Sequence, residues 1–105
     1  MTHLADAALP GLRPILPVPE YDRTSLRAGF VHVGVGGFHR AHQAMYVDRL
    51  LAAGHAQDWA ICGVGLLPGD VRMRDALRSQ DHLYTLVEKH PDGHVEDRVV
   101  GPLVD

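Results

Sequence analysis

An α/β fold is predicted by three stretches of this 105-residue chain. Phe30-Val-His-Val33 is an apolar run of strand length, expected to be buried. Gly34-Val-Gly-Gly37 follows at once, and residues 38–53 carry helical periodicity. Trp59-Ala-Ile-Cys-Gly-Val-Gly-Leu66 is a second apolar run, suited to a parallel strand covered on both faces. Strand, glycine turn, helix and strand within about 30 residues make a βαβ unit.

The elements follow in order. Residues 1–27 contain Pro10, Pro14, Pro17 and Pro19, which disfavour helix and central strand. They are expected to form an extended arm, with a partial dinucleotide-binding domain over 28–105. Residues 30–36 form the first strand and 38–53 the first helix. Ala41, Ala44, Met45, Val47 and Leu51 lie on one face of that helix. Gly54 sits where a left-handed C′ residue would end it. The second strand covers 59–66. Leu67-Pro-Gly-Asp70 is a turn, with Asp70 capping a helix near 71–79. Tyr84–Lys89 and Val95–Val100 are β-rich. His90-Pro-Asp-Gly-His94 between them carries the Asp-Gly mark of a hairpin.

The glycine turn is the candidate site. A strand running through a tight turn into a helix N-terminus presents backbone N–H groups and the positive dipole end to an anion. Gly34 and Gly36 occupy the first two positions of G-x-G-x-x-G: one for the turn, one for close approach of a phosphate. The third position is His39, which implies a wider helix–strand spacing or a side chain turned to the ligand. Gly37 adds flexibility. Phe38 is expected to pack under the turn. His39 is placed against a pyrophosphate or hydrogen-bonded within the turn, and Arg40 pairs with a phosphate oxygen. Asp70 is the acid beyond the second strand that would hold an NAD ribose hydroxyl and repel the NADP phosphate. As a helix cap alone it would serve neither purpose.

Other groups carry less. His39 and His42 stand at i, i+3, but zinc needs a third ligand, and His32 and His55 offer no convergence, so no metal is expected. The single cysteine, Cys62, lies in an apolar strand; it forms no internal disulfide and reads as an inert buried thiol of a reducing compartment, the cytoplasm. A net charge of −3 favours neither nucleic acid nor an anionic membrane surface. No apolar run reaches the length of a membrane span.

The segments Gly34-Val-Gly-Gly-Phe-His-Arg-Ala-His-Gln43, Trp59–Leu66 and Gln80-Asp-His-Leu-Tyr-Thr-Leu-Val-Glu88 resemble the long-chain mannitol dehydrogenase family. The resemblance runs from about Leu16 onward. It implies a Rossmann-type NAD-binding domain followed by a β-hairpin, truncated here, in a metal-independent polyol or uronate oxidoreductase. It implies NAD as cofactor, a small polyol or ketose as substrate, and hydride transfer between D-mannitol and NAD as the leading reaction. A uronate reductase of the same family, a non-catalytic nucleotide-binding fragment and a different Rossmann protein, such as a methyltransferase-like binder, are the alternatives. By the same resemblance the catalytic lysine lies far downstream, in a substrate domain absent from these residues. Lys89 is the only lysine and falls in a strand-and-turn segment, so no residue of this chain is nominated as catalytic. The chain is too short for a six-stranded dinucleotide fold and is expected to be an N-terminal piece of a longer enzyme.

Overall fold

A computed structural model describes residues 3–105. Its parallel unit is built from β1 (Ala28–Val33) and β2 (Ala60–Val64), joined through two helices, α2 (Gly37–Ala41) and α3 (Gln43–Ala52). The strands pair in parallel, Phe30 with Ile61 through Val33 with Val64. The predicted single helix over 38–53 is broken. His42 leaves helical geometry (φ −120°, ψ −84°), and its Nδ1 bonds the Phe38 carbonyl at 2.8 Å. Polar side chains that bond the preceding turn compete with the helical ladder in this way. The C-terminal end follows the expected rule. Gly54 takes φ +86°; its N–H donates to Leu51 and that of His55 to Leu50, both carbonyls otherwise orphaned.

A further helix, α4 (Asp70–Ser79), leads to the antiparallel hairpin of β3 (Tyr84–Lys89) and β4 (Val95–Val100). The hairpin loop holds Gly93 at φ +89°, with the Gly93 N–H bonded to the His90 carbonyl and the His90 N–H to the His94 carbonyl. After β4 the chain returns to the parallel unit. Leu103 bridges Ile61 in parallel, and the N–H of Gly63 donates to the Asp105 carbonyl at 2.8 Å. Residues 102–105 therefore flank β2 on the edge opposite β1, in the sequential order of the first half of a Rossmann sheet.

The core lies between α3, β2, the base of the hairpin and Leu103. Leu51, Ile61, Val100 and Leu103 are its largest fully buried side chains, and Leu83 and Val99 form a second buried cluster with Leu9. The predicted face of α3 is the buried one: Ala44, Met45, Val47 and Leu51 all point inward. The first strand differs from expectation. Val31 and Val33 are 73% and 55% exposed, because they share the face of β1 opposite Phe30 and His32, and that face is left largely uncovered among the described residues. Cys62 is half-buried rather than buried.

The N-terminal arm is not extended throughout. A 3₁₀ turn at Asp6–Ala8, the short helix α1 (Leu9–Leu12) and a second 3₁₀ turn at Arg23–Ser25 interrupt it. Pro10 is compatible because it falls in the first helical turn, where its missing N–H has no intrahelical partner in any case. The arm docks on the domain. Leu9 packs with Leu83 and Val99, and the Val99 N–H donates to the Pro17 carbonyl. Arg23 fastens it further, donating to the carbonyls of Asp81, Gly101 and Leu103 and pairing with Asp6.

Candidate functional site

The glycine turn opens where β1 ends. Gly34 has φ +89°, a left-handed conformation that strains any side chain, and its N–H donates to the Val64 carbonyl at 2.8 Å. The chain is thus locked to β2 as it turns. Gly36 is the N-cap of α2 with extended backbone, φ −104° and ψ −170°. No atom lies within 4 Å of where a Cβ would stand on Gly34, Gly36 or Gly37. The three glycines therefore line an open surface beside the first N–H groups of the helix, which lack intrahelical acceptors. This is what a phosphate cradle requires.

Side chains around the turn depart from expectation in part. Phe38 is 80% exposed and stacks on His42 with ring centroids 4.2 Å apart; it does not pack under the turn. His39 takes the inner position instead. It is 4% exposed and stacks on His32 at 3.7 Å. Neither ring nitrogen of His39 has a hydrogen-bond partner, so the predicted bond within the turn is not made. Gln43 is near enough to favour the charged ring without a sound hydrogen bond, but burial, followed by the His32 ring, holds its pKa below the usual histidine value. Arg40 lies over the Tyr84 ring at 5.9 Å and its Nε contacts the Gly36 carbonyl at 3.3 Å, at the mouth of the turn.

The neutral state of His39 has a consequence for stability. The unfolded chain takes up a proton near the ordinary histidine value of 6.5, whereas the folded chain resists it. Stability falls as pH drops below that value. We expect urea midpoints recorded from pH 8 to pH 5 to decline less steeply in His39→Leu than in the parent; parallel curves would refute the assignment.

Asp70 sits at the other end of the site. It is the first residue of α4, not its N-cap; Gly69 holds the cap position and makes no side-chain bond. The Asp70 carboxylate reaches back over the turn, and Oδ2 accepts the Leu67 N–H at 2.9 Å. Oδ1 accepts no hydrogen bond among the described residues. The side chain also lies against the end of β2: a Cβ on Gly65 would come within 2.4 Å of the Asp70 Cβ. Only glycine lets the carboxylate sit there. A cavity of about 140 Å³ adjoins it, lined in part by Val35 of the glycine turn and by Gly63, Asp70, Met73 and Leu77. That volume is well below the ~300–1,000 Å³ of a pocket for a whole drug-sized ligand, so it suits one moiety of a larger molecule.

The mannitol dehydrogenase Rossmann domain matches residues 28–101, the span from β1 to the residue after β4. The chain belongs to that family. A mannitol 2-dehydrogenase of Pyricularia oryzae is 52% identical over 101 residues, covering 96% of this chain and 20% of the relative. The ternary complex of Pseudomonas fluorescens mannitol 2-dehydrogenase with NAD and D-mannitol superposes with a TM-score of 0.91 at 46% identity, over 97% of this chain and 21% of that one. A substrate-free D-sorbitol dehydrogenase superposes with a TM-score of 0.85 at 39% identity, with the same coverage. The chain therefore spans about one fifth of the length of these relatives. The family settles the fold as part of a Rossmann domain, in agreement with the third parallel segment at 102–105.

One buried charged group carries no motif in the sequence. Asp48 is 2% exposed, held by Tyr21, Arg98 and the Gly101 N–H. The available signal was its place on the apolar face of α3, three residues before Leu51 and four after Ala44.

Proposed function

We propose that this chain is the NAD-binding part of a polyol dehydrogenase, with D-mannitol and D-fructose as the substrate pair. The observation that carries the reading is the open glycine turn, whose Val35 lines the same cavity as Asp70 at the start of α4. Gly34, Gly36 and Gly37 would take the pyrophosphate on backbone N–H groups, with Arg40 and the exposed ring of Phe38 at the rim. His39 supports the turn from beneath as a neutral ring. The free Oδ1 of Asp70 would accept a ribose hydroxyl. NAD, when bound, supplies the hydride chemistry; these residues bind and orient, and none of them is assigned a catalytic proton. The D-sorbitol dehydrogenase likeness favours a second reading, in which the polyol differs in configuration while the cofactor half is unchanged.

The cytoplasm is the compartment proposed, on the strength of the lone cysteine. Among the described residues no helix is long and apolar enough to cross a membrane.

Asp70 tests the cofactor assignment. In the full-length protein, Asp70→Ala should lower the ratio of kcat/KM for NAD over NADP by about fivefold, the ~1 kcal/mol of one hydrogen bond. The change should appear chiefly in KM, since the ribose is remote from the reacting carbon. Asp70→Asn keeps an acceptor for the Leu67 N–H but no longer repels a phosphate, so it too should relax the preference. A ratio preserved in both variants would assign cofactor choice to another residue.

A further inference from the structure

The hairpin tip brings together side chains that the cofactor site does not use. Glu88 pairs with Glu96 across the β3–β4 ladder. Strand alternation then places Glu88 and His90 on the same face as His94 and Glu96. The three-residue loop between His90 and His94 closes the two histidines on each other, with ring centroids 4.7 Å apart. His94 Nε2 lies 3.0 Å from Glu96 Oε1, and His90 Nε2 lies 3.8 Å from Glu96 Oε2. One ligand atom from each of the three residues fits within a span of 4.8 Å.

Two features go beyond a pair of surface ion contacts. His90 Nε2 is buried from solvent and makes no hydrogen bond, although it is directed at a carboxylate. A buried ring nitrogen left so is costly unless something fills the gap. Glu96 also faces Glu88 directly, and like charges opposite one another in a ladder are unfavourable. Arg49, 3.6 Å from Glu88, offsets only that member of the pair.

The geometry points to a divalent transition-metal site of the zinc class at this hairpin tip, with His90, His94 and Glu96 as its three protein ligands. Two imidazoles and a carboxylate form a donor set that zinc, cobalt and nickel accept, and that calcium and magnesium do not favour. Donors of a tetrahedral zinc, each about 2.0–2.1 Å from the metal, stand ~3.3–3.4 Å apart. His94 Nε2 and His90 Nε2 reach different oxygens of Glu96, at 3.0 and 3.8 Å, and His94 and Glu96 are exposed and able to turn so that one oxygen serves both rings. The fourth position is left to water. Asp92 is occupied in the turn, accepting the His94 N–H at 2.9 Å, and is not a ligand. The site departs from the expectation of no metal, which rested on His32, His39, His42 and His55. It lies outside the proposed cofactor residues and does not rest on the nucleotide reading. Its role is to pin the two ends of the loop together.

The test is Zn²⁺ titration of the metal-free full chain at pH 7.5 by calorimetry, with Co²⁺ absorption reporting the ligand field. One equivalent should bind with a micromolar dissociation constant. His94→Ala and Glu96→Gln should each weaken it at least tenfold, while His55→Ala, an exposed histidine elsewhere, should not. No saturable binding below about 100 μM, or binding that survives both His94→Ala and Glu96→Gln, would reduce the cluster to histidine–glutamate ion pairs and overturn the site.

Discussion

Gly36→Val should lower NADH affinity by tenfold or more, at least ~1.4 kcal/mol, without unfolding the protein. Both halves of that expectation come from the turn itself. Gly36 has φ −104°, a region open to any residue, and a Cβ there meets no atom within 4 Å. The valine side chain is therefore accommodated in the free protein. It projects over the surface that the pyrophosphate would approach, and a bound phosphate cannot share that space. Gly34→Val makes the necessary contrast. At φ +89° it adds backbone strain of about 1–2 kcal/mol, so it should lose stability as well as affinity. Fluorescence titration with NADH and urea denaturation of both full-length variants separate the effects. An unchanged dissociation constant in Gly36→Val would remove the glycine turn from the cofactor site.

Much of this arrangement was legible because local chemistry specified it. Gly54, the Asp92-Gly93 turn and the face of α3 each follow from a backbone preference or a period, and the structure keeps all three. What escaped depended on partners distant in sequence. The break at His42 comes from a side chain bonding its own preceding turn, which competes with an otherwise sound helical pattern. Phe38 and His39 exchange their expected places because His32 on β1 offers a flat ring for His39 to stack on; apolarity alone ranked the phenylalanine inside. Val31 and Val33 read as buried from composition, but side-chain burial on a strand is set by what covers each sheet face, and among the described residues only the Phe30–His32 face of β1 is partly covered. At the candidate site, the glycines and Asp70 could be named from the turn and the strand end. That Asp70 leads α4 and reaches back to Leu67 could not, since Leu67-Pro-Gly-Asp70 is compatible with either cap position.

Asp48→Ala should be the most destabilising of the substitutions considered, by about 3 kcal/mol or more. The carboxylate is 2% exposed and serves three donors from three parts of the chain. Tyr21 of the N-terminal arm donates to Oδ1 at 2.5 Å, the Gly101 N–H donates to the same oxygen at 3.1 Å, and Arg98 of β4 donates to Oδ2 at 3.1 Å. Burial, then the Asp48 charge, pushes the Tyr21 hydroxyl well above its ordinary value, so it remains a donor at any working pH. Removing the carboxylate leaves a guanidinium without its counter-charge and strips the buried Gly101 N–H of its acceptor. Each is costlier than the bond it made, because the group stays desolvated. The network also joins the arm, α3 and the hairpin, so its loss should loosen the arm. Tyr21→Phe removes one neutral donor and no charge, and should cost only about 1–1.5 kcal/mol. Urea denaturation of both variants, with limited proteolysis to follow the arm, checks the ordering. Equal and small losses in the two would mean that Asp48 is solvated in solution and that packing of Leu9 against Leu83 and Val99 alone fixes the arm.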